Sequence, residues 1–211
     1  MIRYAARVAP WPMLLVGCGA VAVLVALVGF RFTVMWPLQG TAVGVLAGIT
    51  AMALDERCAA LVDTLPRPLW WRTVGRVLFA VPGLLVIWVC ALVAVRDRIP
   101  PHLGLFVLQG CAAVSLALSV TVARRAAGVA EPGAPFAAFA IPVAAAVALA
   151  RPRPDWFPVF PVWPTENWSC SVVLWLVVAV AAPLVALAPQ WMARLRGPGR
   201  PVGPAGARLP G

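Results

Sequence analysis

Six stretches of this chain contain no Asp, Glu, Lys or Arg: Val8 to Phe30, Phe32 to Leu54, Val77 to Val95, Ile99 to Ala123, Pro132 to Ala150, and Asn167 to Ala193. Runs of this kind constrain a fold more than any motif. A backbone in hydrocarbon must satisfy its own hydrogen bonds, and a helix does so within one segment. An α-helix rises about 1.5 Å per residue and roughly 20 residues cross the hydrocarbon, a length each window reaches or nearly reaches. The expected fold is therefore an all-α membrane protein, a bundle of six transmembrane helices. The fifth window is the weakest of the six, because Pro135 and Pro142 interrupt it and its many alanines supply little hydrophobic drive. With 63% of residues hydrophobic, 11% charged and a mean hydropathy of +0.93, nothing is left over for a soluble domain. One membrane domain over 1–196 is expected, followed at 197–211 by a disordered tail whose sequence, GPGRPVGPAGARLPG, lacks anything to pack.

The arginines orient the bundle. An even number of spans places both termini on one side, and the cytoplasmic side carries the excess of positive charge. Arg3, Arg7, Arg57, Arg67, Arg72, Arg76, Arg124, Arg125, Arg194, Arg196, Arg200 and Arg208 then fall inside, against Arg31, Arg96, Arg98, Arg151 and Arg153 outside. Both termini are expected to be cytoplasmic. Tryptophans fall near the same boundaries, with Trp11, Trp70, Trp71 and Trp191 at the inner edge and Trp36, Trp156, Trp163 and Trp168 at the outer, where indoles anchor to headgroups. Leu15-Val16-Gly17-Cys18 has the look of a lipoprotein cleavage site, but apolar sequence continues to Phe30, and the segment reads better as the first membrane helix.

Several chemistries are disfavoured. All 17 basic residues are Arg, so the lysine of a phosphate-binding P-loop and a Schiff-base amine are both missing. The net charge of +10 is dispersed between apolar runs and forms no nucleic-acid-binding stripe. Cys18, Cys58, Cys90, Cys111 and Cys170 form no C-x-x-C pair and read as small buried hydrophobes, and His102 is the single histidine, so no metal site is expected.

The most organised polar stretch is DERCAALVDTLPRPLWWRTVGRV, Asp55 to Val77. Asp55 and Glu56 open it, Leu61 and Val62 belong to a short apolar-faced turn, and Pro66-Arg67-Pro68 breaks it. Leu69, Trp70, Thr73, Val74 and Val77 then form an apolar face, with Arg67, Arg72 and Arg76 directed at phosphates or an acidic partner. A short amphipathic cytoplasmic helix between helices two and three is expected. This stretch resembles the loop joining the second and third spans of ABC-2-type exporter permeases. Asp55 and Glu56 match its acidic start, Leu61 and Val62 its apolar positions, Pro66 its proline, and Arg76 the basic residue before the third helix; Arg57-Cys58 stands where the family carries Gly-Thr. The six-helix layout extends the likeness to nearly the whole chain. The resemblance implies a multi-pass permease subunit in a bacterial cytoplasmic membrane, paired with a second permease subunit as a homodimer or heterodimer. A separate cytoplasmic ATPase would dock on Asp55, Glu56, Leu61, Pro66, Arg67, Arg72 and Arg76. ATP would be hydrolysed by that partner, leaving this chain without cofactor or catalytic residue, and the substrate would be hydrophobic or amphipathic. The alternative is a non-transport membrane protein, an assembly, immunity or scaffolding factor, that binds a partner or anionic lipid through its Arg-rich inner face.

Polar and small residues inside the spans complete the reading. Gln39 and Gln109 each need a partner in lipid, and either line the outer half of a substrate path with Thr41 and Ser115 or form an interhelical hydrogen bond. Gly40, Gly44 and Gly48 place a small-residue face on helix two, and Ala137, Ala140, Ala144 and Ala148 a similar one on helix five, for helix packing or a subunit interface. Arg151 to Trp168, rich in Pro and aromatics, is either an aromatic-belted outer loop or a short re-entrant dip that other protein must cover.

Overall fold

The computed structural model describes residues 10–31, 35–55, 69–99, 102–150, 158–161 and 168–195. These residues form six α-helices, one 3-10 turn and no strand: α1 Trp11–Phe30, α2 Pro37–Ala53, α3 Leu69–Ala94, the 3-10 turn Arg96–Arg98, α4 Leu103–Ala126, α5 Gly133–Ala150 and α6 Trp168–Leu195. Five of the six are long and apolar enough to cross a membrane, and α2, at 17 residues, is shorter. The surface is apolar as well: Leu15, Val16, Leu78, Phe139 and Val185 all project outward. Lipid accommodates so much exposed hydrocarbon and water does not. The chain is a multi-pass helical membrane protein.

Length singles out a different helix from the one composition marked as weakest. The fifth window forms the continuous helix α5 despite Pro142 within it, whereas α2 spans only about 25 Å against roughly 30 Å of hydrocarbon. Its placement explains how a short helix is tolerated. Twelve of the 17 residues of α2 are buried, because α1, α4 and α5 all pack on it. Protein rather than lipid surrounds this helix.

The α2–α5 contact is the most extensive in the bundle and rests on the two small-residue faces anticipated from the sequence. A Cβ added to Gly44 would lie 2.9 Å from Ala144 Cβ, and one on Gly48 would lie 3.1 Å from Ala137 Cβ. Gly40 meets Ala148 in the same way. The two stripes thus cover each other within one chain, and the outward face of α5 carries Phe139, Val143 and Leu149 instead. The cysteines depart from expectation: Cys18 and Cys111 are half-buried, and Cys90 and Cys170 face outward.

Helix ends follow local chemistry. Pro37 occupies the first turn of α2, where a missing N–H costs nothing. At the end of α4, Arg124 and Arg125 complement the helix dipole, and Gly128, with φ of 89°, closes the helix as Val129 N–H donates to Arg124 O and Gly128 N–H to Arg125 O. Helices α2, α4 and α6 begin at one end of the bundle, and α5 starts at the other beside the C-terminus of α2.

Candidate functional site: a polar node and a clasp at opposite ends

At the end where α2, α4 and α6 begin, polar side chains converge on one backbone carbonyl. Gln39 Nε2 donates to Gln109 Oε1 across the α2–α4 contact, and both side chains are buried. Gln109 Nε2 in turn donates to Val159 O at 3.4 Å. Ser171 Oγ at 3.3 Å and Trp175 Nε1 at 2.8 Å, one turn apart on α6, donate to the same oxygen. Gln109 lies six residues in from Leu103, about 9 Å along α4, so irregular backbone reaches well below the helix ends. Pro158, Phe160 and Pro161 are buried around Val159. Such backbone survives at this depth only when protein encloses it and its carbonyls find donors; Pro158, Phe160 and Pro161 are buried, and Val159 O has its donors. Residues 158–161, the described part of the 151–168 stretch before Trp168 opens α6, therefore dip between the helices under cover of protein.

Phe160 also closes over Gly40 at the head of α2, so the dip caps the central helix. The Oε1 atom of Gln39 is buried with no hydrogen-bond partner among the described residues, beside a cavity of about 10 Å³ lined by Val25, Trp88 and Phe106 among others, room for about one water. Thr41 is half-buried on α2. Ser115 lies further along α4, where its Oγ donates to Ala179 O at 3.0 Å and ties α4 to α6. The two glutamines meet directly, and Ser115 is engaged elsewhere.

Three contributors to this end escaped the sequence reading. Trp88, fully buried in α3, donates from Nε1 to Phe106 O at 3.0 Å, and Gly110 leaves room for its indole against α4. Trp175 and Ser171 supply the Val159 donors. The available signal was an indole in the middle of an apolar run, since a buried Trp N–H needs an acceptor. His102 stacks on Trp168 with ring centroids 4.4 Å apart, joining the starts of α4 and α6.

The opposite end is held by charge. Asp55 follows α2 and reaches the N-terminus of α5: Gly133 N–H donates to Oδ1 at 2.7 Å and Ala134 N–H to Oδ2 at 3.0 Å. The carboxylate thereby caps a helix seventy-eight residues away, where the dipole favours negative charge. Glycine is needed at 133, since a Cβ there would press on Ala51 O and Asp55 Oδ1. Burial pushes the Asp55 pKa up; the two amide donors oppose the rise, Glu131 adds to it and Arg76 opposes it.

Arg76 differs from the amphipathic expectation. It is buried, and its Nη1 donates to Asp55 O at 2.5 Å and Leu54 O at 3.3 Å, carbonyls left over at the end of α2. Desolvating a guanidinium is costly enough that it turns toward these acceptors and away from headgroups. The amphipathic piece expected from Leu69 onward is continuous with the long apolar helix α3, and Arg72 lies in its first turn. Glu56, Leu61, Pro66 and Arg67, with the short helix expected there, lie outside the described residues. Asp55, which precedes the 56–68 connection, and Arg76, about two turns into α3 after it, thus bind α2, α3 and α5 together.

Among the described residues no three His, Cys, Asp or Glu side chains come together to hold a metal. The chain matches no protein-family model, and no curated protein or solved structure shows significant similarity to it.

Proposed function

We propose that this chain is the membrane-spanning permease subunit of an ABC-type exporter, with six spans, both termini and the 56–68 connection in the cytoplasm, and α2 as the central span. A separate cytoplasmic ATPase would grip the connection, and a second permease subunit would complete the transporter. The observation that carries this reading is the clasp. A coupling loop must pass force to the helices it moves, so its ends must be anchored. Arg76, about two turns into α3, ties that helix to the end of α2, and Asp55 ties the end of α2 to α5, so a pull on residues 56–68 reaches α2, α3 and α5 together. The end capped by the 158–161 dip is then the outer, closed end. The cargo is a hydrophobic or amphipathic molecule.

The test first asks whether a neighbouring gene encodes a P-loop ATPase, whose absence counts against the exporter, and then co-expresses the full chain with that ATPase and purifies it with and without ATP. Nucleotide-sensitive capture, abolished when residues 56–68 become a neutral Gly-Ser linker in a chain that still purifies as a single species, supports the exporter. Failure of capture, or capture indifferent to the linker, favours a non-transport assembly, immunity or scaffolding role. Sidedness is read separately: Arg67→Cys in a cysteine-free background should resist an impermeant thiol reagent in intact cells.

A further inference from the structure

Helices α3 and α6 each pack on α4 and have little contact with one another. Between them, over the last turns of α4, lies a groove of about 440 Å³, within the range of about 300–1,000 Å³ typical of small-molecule sites. Its wall is apolar, with Val74 and Leu78 from α3, Leu118 and Val122 from α4 and Leu187 from α6, and among the described residues the one charged side chain that lines it is Arg125, with no carboxylate beside it in the wall.

Depth decides what such a groove suits. Arg124 and Arg125 end the charge-free run of α4 in its last turn, so Arg125 lies at the level where hydrocarbon gives way to headgroups. Leu118 is seven residues deeper along α4, about 10 Å. The rim residues Val74, Leu78 and Leu187 are 40%, 63% and 42% exposed, so the opening faces the bilayer. A ligand arriving sideways from a leaflet, acidic at headgroup level and apolar below it, complements this arrangement of charge and hydrocarbon.

We propose that the groove between α3, α4 and α6 holds an acidic phospholipid, with its phosphate on the Arg125 guanidinium and an acyl chain against Leu78, Leu118 and Val122. Guanidinium is suited to the task, because its planar fork matches phosphate oxygens and it keeps its charge at a membrane interface. The site is separate from the clasp and does not depend on the exporter reading. Arg124, next in sequence, is exposed and does not line the groove, which makes it the natural control.

The test uses the full chain in nanodiscs of equimolar phosphatidylglycerol and phosphatidylcholine, released into mild detergent and read for retained lipid by native mass spectrometry. Phosphatidylglycerol should be retained in preference. Arg125→Gln should lower that preference about five-fold, the expectation for one interfacial arginine, and Arg124→Gln should lower it far less. Leu78→Trp, at the exposed rim, should block the groove and reduce retention of both lipids; Leu187→Trp gives the same readout from α6 should Arg125→Gln fail to fold. Equal retention of the two lipids by the wild type would overturn the proposal. So would equal losses in the two arginine variants, or cross-linking of Leu78→Cys between two copies, which would make the occupant a second chain.

Discussion

Gln39 on α2 and Gln109 on α4 form a buried amide pair, and Gln109 uses its other end to hold the Val159 carbonyl. The pair links the central helix to the dip that caps it. A buried amide left without a partner costs about 1–3 kcal/mol, so Gln39→Leu and Gln109→Leu should each destabilise the fold, Gln109→Leu the more because it also releases Val159. Combined, they should cost less than their sum by about 0.5–3 kcal/mol, since neither variant then leaves an orphaned partner. Unfolding in mixed detergent micelles measures this cycle, and strict additivity would mean that the two amides do not interact.

Val159 O has three donors, of which Trp175 Nε1 is the nearest. Replacing that indole with Phe keeps most of the ring volume and removes the N–H. Trp175→Phe should cost about 1 kcal/mol, because Gln109 and Ser171 still serve the oxygen. Amide exchange at Val159 and Phe160 should quicken. Unchanged exchange would show that α6 holds the dip through packing alone.

How much of this was legible follows from which interactions are local. Charge-free runs marked every helix, because satisfying the backbone in lipid is a demand each segment meets alone. Boundaries were less certain: α3 begins at Leu69 rather than near Val77, since Arg76 finds acceptors on α2 that no reading of its own segment reveals. The Gly40, Gly44 and Gly48 stripe was visible, but its match to Ala137, Ala144 and Ala148 is a property of the packed bundle. Asp55 was noticed for its charge, and its real partners lie on α5. The convergence on Val159 O was invisible, because a backbone carbonyl leaves no mark in a sequence.

Glycines in α2 and α3 should respond in opposite senses to the same methyl group. At Gly44 a Cβ would sit 2.9 Å from Ala144 Cβ and 3.1 Å from Ile141 Cα, so Gly44→Ala must push α5 away and should cost about 1–3 kcal/mol. At Gly83, within α3, an added Cβ would meet no atom of another described element within 4 Å. Gly83→Ala should be neutral or stabilise by up to about 1 kcal/mol through helix propensity. Paired thermal melts test the contrast, and equal losses at both positions would refute close α2–α5 packing.

Asp55 makes the clasp end respond to pH. Burial raises its pKa most, and although Gly133, Ala134 and Arg76 pull the other way and Glu131 reinforces burial, the balance stays above the ordinary carboxylate value of about 3.9. The folded chain therefore holds this proton more tightly than the unfolded chain. Between the ordinary and the raised value the folded state carries more protons, so stability falls as pH rises. The contribution of protonation is fully present below the unfolded pKa and is lost as pH climbs through the folded one. A neutral Asp55 still accepts an amide hydrogen bond through its carbonyl oxygen, so the cap persists when the charge goes. Tryptophan-monitored melts in detergent between about pH 4 and 7 should show Tm declining with pH, less steeply in Asp55→Asn and in Glu131→Gln. If Asp55→Asn reproduces the wild-type slope, the pH response arises elsewhere in the chain.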